Sequence, residues 1–174
     1  RLDKETSGIL ILAKKRLALV ELQEQMKKNQ ITKEYFALTL GAWRDEKRNV
    51  KTPIYKYTNK DGERRVRIDQ ELGQFSHTIF TLKKKYAEFS LVNADLQTGR
   101  THQIRIHLQY LGFPIAGDDK YGNFEQNKLL AKQGLKRMFL HAHHVKFMHP
   151  MTQQTLEVNC PLAPELASFL SKLS

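Results

Sequence analysis

Cysteine is nearly missing from this chain: Cys160 is the only one among 174 residues. A lone thiol closes no internal disulfide, which excludes a disulfide-stapled scaffold and suits a reducing cytosol. Apolar runs are short. None approaches the ~18 residues of a membrane span, and no signal-peptide pattern is visible, so a cytoplasmic protein is expected. Phosphate-cradling loops are lacking too: neither G-x-G-x-x-G nor a Walker sequence occurs, nor does the G-x-S-x-G elbow of serine hydrolases. Acidic residues are scarce, with 18 Asp and Glu against 29 Lys and Arg.

What is present is a large basic excess. The net charge is +11, spread over Lys14–Arg16, Lys27–Lys28, Arg44–Lys51, Arg64–Arg65 and Lys83–Lys85. Charge scattered over many segments favours a polyanion such as RNA or DNA. A membrane surface would call for one long basic amphipathic helix, and none is seen. Hydrophobic residues make up 40% of the chain, enough to bury the core of one domain.

Periodicity then orders the elements. Ile9–Ala13 reads as a short buried strand and Leu17–Asn29 as an amphipathic helix with Ala18, Leu22 and Met26 on its inner face. Thr32–Leu40 alternates as a strand, Lys33, Tyr35, Ala37 and Thr39 facing one way. Arg44–Thr52 reads as a basic loop. Asp61-Gly62 marks a hairpin turn between Ile54–Tyr57 and Val66–Ile68. Ser76–Lys84 and Phe89–Leu96 pair as longer strands. Thr101–Leu111 forms a helix closed by Gly112 and Pro114, and Phe124–Gln133 forms another. A hairpin of Arg137–Phe147 with Gln154–Val158 and a helix over Pro164–Leu173 finish the chain. Strands outnumber helices and run mostly as hairpins. The expected fold is therefore α+β, on a mixed, largely antiparallel sheet with flanking helices.

Seven histidines raise the question of a metal. His102 and His107 are five apart on a helix and face different ways. His141 and His143 share a strand face and are the best pair, yet no third ligand stands at a telling distance. No metal is expected. Two other places carry more chemistry. Asp3 sits in "RLDKETSG", where a carboxylate lies beside an apolar run. Arg105, between Ile104 and Ile106 in "TGRTHQIRIH", is partly buried and needs an anion, because an unpaired desolvated charge is costly. Asp3 is one candidate partner; a core Asp or Glu is the other.

Those two stretches, with "TKEYFAL" (Thr32–Leu38) and "FLHAHHVKF" (Phe139–Phe147), come in an order that resembles pseudouridine synthases of the RluA family. The likeness runs through "GFPIAGDDKYG" and the "HPMTQQ" hairpin to cover essentially the whole chain. It implies isomerisation of specific uridines to pseudouridine, with large-subunit (23S) ribosomal RNA the expected substrate and no metal or organic cofactor. By motif position Asp3 is the catalytic carboxylate, and Arg105 is its ion-pair partner. Tyr35 stacks on the uracil and is a candidate for taking the C5 proton. Leu140 lies beneath the base, and Arg1 helps hold the flipped-out state. Thr6, Ser7 and Gly8 form the loop that fixes Asp3. In that family further strands and an S4-type RNA-binding domain often lie upstream. Residues 1–174 are then expected to be the C-terminal portion of a single catalytic domain, with an open sheet edge where those strands belong. Two other classes remain: a non-catalytic RNA-binding module of the same fold, and a histidine-metal hydrolase.

Overall fold

The computed structural model describes all 174 residues. Nine strands and four helices follow one another along the chain. β1 (Ser7–Gly8) leads to α1 (Arg16–Lys27), and then to β2 (Thr32–Leu40), β3 (Lys47–Lys51), β4 (Ile54–Thr58), β5 (Arg64–Ile68), β6 (His77–Lys85) and β7 (Phe89–Leu96). α2 (Gln103–Tyr110), α3 (Phe124–Lys132), β8 (Leu140–Met148), β9 (Thr155–Asn159) and α4 (Pro164–Ser171) complete it. Seven strands make one sheet in the order β1-β8-β2-β7-β6-β3, with β9 also on β8. Only β1 runs parallel to its neighbour; the other pairs are antiparallel. β4 and β5 form a separate hairpin. The α+β class and the largely antiparallel sheet are as the hairpin spacing indicates.

The core lies where both faces of the sheet are covered. Ala37, Leu38 and Thr39 of β2 are consecutive and all buried, so alternation gives way to a continuous run at the sheet centre. Ile104 and Leu108 of α2 pack into the cluster that holds Ala37, Val92, Ala94 and Phe80. Phe169 of α4 meets Phe89 of β7 edge-on, with ring centroids 6.3 Å apart.

Four expectations need correction. Ile9–Ala13 forms no strand; only the Ile9 N–H reaches the sheet, at the Ala142 carbonyl (2.9 Å). Ile9, Ile11 and Ala13 lean on Leu22, Ile31, Val145 and Phe147, while Leu10 and Leu12 face outward at 50% and 79% exposure. An apolar run with one packed face is not the buried strand its composition suggests. On α1 the buried residues are Leu22 and Gln25, whereas Met26 is exposed. Gln25 goes inward because its amide gives a hydrogen bond to the Met148 carbonyl (2.9 Å) and takes one from the Met148 N–H (3.2 Å). The basic loop contains β3, an edge strand with Val50 inward and lysines outward; such charges keep a sheet edge from pairing with other chains. Finally, α2 starts at Gln103 rather than Thr101, because His102 takes the left-handed conformation (φ 52°).

Candidate active site

The turn and short strand after Asp3 hold it in place. The Thr6 N–H donates to the Asp3 carbonyl at 3.0 Å, closing that turn. Ser7 and Gly8 then lie against His141 and Ala142 of β8. Gly8 has φ +106°, and a Cβ there would stand 2.1 Å from the Ala142 carbonyl oxygen, so no side chain fits. Arg137 fastens the same loop, donating to the Glu5 carbonyl (3.0 Å) and the Ser7 hydroxyl (2.7 Å). His141 faces Ser7 Oγ at 2.8 Å and the Cys160 carbonyl at 3.2 Å, and a carbonyl only accepts. Nε2 therefore carries a proton and donates to that carbonyl, while Nδ1 is paired with the Ser7 hydroxyl.

Arg105, 5% exposed, reaches Asp3 with one nitrogen: Nη1 stands 3.6 Å from Asp3 Oδ2. Its strongest partner is another acid. Nε and Nη2 donate to the two oxygens of Asp118 at 2.8 and 2.7 Å, and Nη2 also reaches Asp119 at 3.1 Å. Asp118, 1% exposed, accepts in addition from the N–H groups of Lys120 (2.8 Å) and Tyr121 (3.0 Å). Gly117 permits this approach with φ +81°, since a Cβ there would lie 2.3 Å from the Arg137 carbonyl oxygen. The Tyr121 ring lies beneath the guanidinium, its centroid 5.1 Å from Cζ. Burial works against the charge of Arg105, but the Asp118 hydrogen bonds and the charges of Asp118, Asp3 and Asp119 more than reverse it, so the pKa is raised. One edge of the guanidinium is thus occupied by Asp118, and the remaining corner faces Asp3.

Both residues border a cleft of about 540 Å³, which Arg1, Tyr35 and Leu140 also line. Tyr35 sits on β2 between two alanines, Ala94 and Ala142, whose small side chains leave room around its ring. Burial, reinforced by the charge of Asp3, pushes its hydroxyl up to about 12, so the phenol keeps its proton at neutral pH. Leu140 is buried in the wall of the cleft. Arg1 is exposed at the rim. His102 completes the ring around Asp3, with Nε2 4.0 Å from Oδ1.

Asp118, Tyr121 and His102 do not stand out in the sequence as parts of this site. "GDDKY" does place two acids soon after Arg105, but nothing local says which of them folds back. The histidine pair has other work: His143 stacks on Phe36 at 3.7 Å and meets Asn93 at 2.6 Å, while His141 serves the Ser7 loop. No three His, Cys, Asp or Glu side chains are grouped to hold a metal ion.

A cleft with a carboxylate, a guanidinium, an aromatic ring and an apolar wall can hold one planar polar ring and act on it. Comparison with known proteins agrees with that outline. The family described as RNA pseudouridylate synthase matches residues 1–110. The ribosomal large subunit pseudouridine synthase C of Pasteurella multocida (strain Pm70) is 46% identical over 173 residues, covering 99% of this chain and 53% of that protein. Its namesake in Escherichia coli (strain K12) is 45% identical over 175 residues, covering 99% and 54%. The chain spans about half the length of these curated relatives. Among solved structures, human RNA pseudouridylate synthase domain containing 1 superposes with a TM-score of 0.79 at 28% identity, over 97% of this chain and 71% of that one. The chain belongs to the RNA pseudouridylate synthase family.

Proposed function

We propose that the protein carrying this chain isomerises uridine to pseudouridine in large-subunit ribosomal RNA, with Asp3 as the catalytic carboxylate. The observation that carries this reading is the meeting of Asp3 and Arg105 at 3.6 Å across about a hundred residues of sequence, in one cleft with Tyr35 and Leu140. A pure binding module has no use for a carboxylate aimed at a guanidinium beside an aromatic ring.

The reaction exchanges the N1–C1′ bond for a C5–C1′ bond; C5 loses a proton and N1 regains one. Atoms and electrons balance within the nucleoside, so the residues named can carry it without an oxidant or a reductant. Asp3 attacks the ring or the sugar, or withdraws a sugar proton, and each route needs the carboxylate fixed and close to its target. Arg105 sets its direction. Tyr35 stacks on the uracil and passes on the C5 proton through its hydroxyl, with Leu140 as the apolar floor. A cleft of about 540 Å³ takes a nucleotide but not a helix, so the uridine must be swung out. Arg1 holds that flipped state, and Lys33 and Arg100, also at the cleft, meet the flanking phosphates. No helix is long and apolar enough to cross a membrane, and we place the protein with its RNA in the cytoplasm.

The test is release of tritium from 5-tritiated uridine in a large-subunit ribosomal RNA transcript, using the full-length protein. Asp3→Asn should abolish release while RNA affinity stays near wild type. Retention of a tenth of the rate would end the assignment.

A further inference from the structure

His102 occupies a position that local rules do not favour. It is the N-cap residue of α2, yet its side chain caps nothing, and Ser, Thr, Asp or Asn would serve there better. Its backbone is left-handed (φ 52°, ψ 24°), a conformation a histidine adopts only where its surroundings enforce it. Breaches of local preference of this kind gather at functional sites. What the geometry achieves is direction: the imidazole turns off the helix and into the cleft, where Nε2 faces Asp3 Oδ1 at 4.0 Å.

The other ring nitrogen fixes the proton. The Tyr121 hydroxyl lies 2.9 Å from the Val66 N–H and 2.8 Å from His102 Nδ1. The backbone N–H can only donate, so the phenol oxygen accepts there. Burial, the first cause of a lowered pKa, favours the neutral ring, and in that ring the phenol gives its proton to Nδ1 and the imidazole hydrogen sits on Nε2, facing the carboxylate. Asp3 is bracketed: Oδ2 faces the guanidinium of Arg105, and Oδ1 faces an uncharged N–H.

We propose that His102 is a positioning residue for the isomerisation, a neutral donor whose proton Tyr121 locks onto Nε2 and which orients Asp3 as the cleft fills. This inference rests on the reading of Asp3 as the reacting carboxylate. At 4.0 Å no hydrogen bond exists in the free protein; such bonds tighten when substrate turns the acceptor toward its donor. Neutrality is part of the device. An imidazolium would duplicate the charge of Arg105, break the Tyr121 bond, and pull Asp3 away from its target. The charged groups facing His102 are Asp3, Arg105, Asp118 and Lys120, with Tyr121 as its uncharged partner. Burial first, then Arg105 and Lys120, lower its pKa against the opposing pull of Asp3 and Asp118.

Four variants of the full-length protein decide it, with single-turnover tritium release from the ribosomal RNA transcript as the readout. Asn tolerates the left-handed backbone but is too short to reach Asp3, whereas the Gln amide nitrogen reaches about as far as Nε2. His102→Asn should slow the step by on the order of 10²-fold with RNA affinity within about twofold, and His102→Gln should recover to within about tenfold of wild type. Tyr121→Phe removes the donor to Nδ1, raises the histidine's pKa and should move the acid limb of the pH–rate profile upward by about one unit. A wild-type rate in His102→Asn, equal losses in the Asn and Gln variants, or an unmoved limb in Tyr121→Phe would each overturn the role of His102, provided Asp3→Asn is inactive. An active Asp3→Asn overturns the underlying assignment instead.

Discussion

Arg105 divides its donors between a structural acid, Asp118, and Asp3, the acid proposed to react, and that division governs how the site responds to substitution. Asp118 takes two of its hydrogen bonds and is itself 1% exposed, so removing the acid's charge strands a buried guanidinium. Asp118→Asn should therefore cost about 3–5 kcal/mol of unfolding free energy; a urea midpoint equal to wild type would show that Asp119 and Asp3 suffice. Tyr35→Phe probes the other wall of the cleft. The ring still stacks, but the hydroxyl, protonated at neutral pH in the free protein, is gone. Turnover should fall by on the order of 10²-fold at unchanged RNA affinity, and an unchanged rate of tritium release would reduce Tyr35 to packing. The burial of Arg105 is legible from Ile104 and Ile106 on either side of it. Its main partner is not, because Asp118 arrives through a turn that only the folded backbone brings back to α2.

β1 is two residues long, yet it carries the carboxylate loop to the sheet. Its contact with β8 depends on Gly8, where a methyl group would overlap the Ala142 carbonyl. Gly8→Ala should lower stability by about 2 kcal/mol or more and reduce activity further, as the loop shifts; unchanged thermal melting would show that β1 can slide at no cost. On the other side of the cleft, α2 is tied to the sheet by a buried polar chain. Gln103 donates to the Thr78 hydroxyl (2.9 Å), which lies 2.9 Å from His107 Nδ1, while His107 Nε2 meets Ser76 Oγ at 2.8 Å. Ser76 spends its own proton on the Thr52 carbonyl. Nε2 of His107 therefore donates to Ser76, and burial first of all lowers the ring's pKa to about 4, which keeps it neutral at pH 7 with Nδ1 left to accept from Thr78. That pKa is below the ~6.5 of the unfolded chain, so this contribution to stability is complete above about pH 6.5 and drains away as pH falls toward 4, by on the order of 3 kcal/mol. His143, also held down to about 4 with burial the first cause, acts in the same direction. Urea unfolding at pH 7 and 4.5 measures the loss, and equal free energies would mean that His107 is charged in the fold.

Over the whole molecule the +11 charge is not uniform in effect. Lys83–Lys85 are exposed at the far end of β6, roughly 25 Å along the strand from His77. His77 adjoins the cleft end, where its carbonyl receives the N–H of Gln97. Arg100 and Lys33 line the cleft itself. Neutralising Lys83, Lys84 and Lys85 together should leave the salt dependence of RNA binding nearly unchanged. Neutralising Arg100 and Lys33 should lower the slope of log K against log salt by about one for each phosphate that then goes unneutralised. A large drop from the triple variant would put RNA across the far end of β6 as well.

The class of the fold, the family and five residues to watch are all legible in the order of amino acids alone. Hairpin spacing and alternating side chains act over a few residues, and short motifs keep their order. Element edges were less secure: Ile9–Ala13 has the composition of a strand, but beyond the Ile9 N–H, which bonds the Ala142 carbonyl, its backbone pairs with nothing. Tertiary structure alone decided which acid holds Arg105, which tautomer His102 and His107 adopt, and which basic clusters lie near the cleft. Each of these is set by hydrogen bonds and charges between residues far apart in the chain, and such pairings exist only once the sheet has brought its strands together.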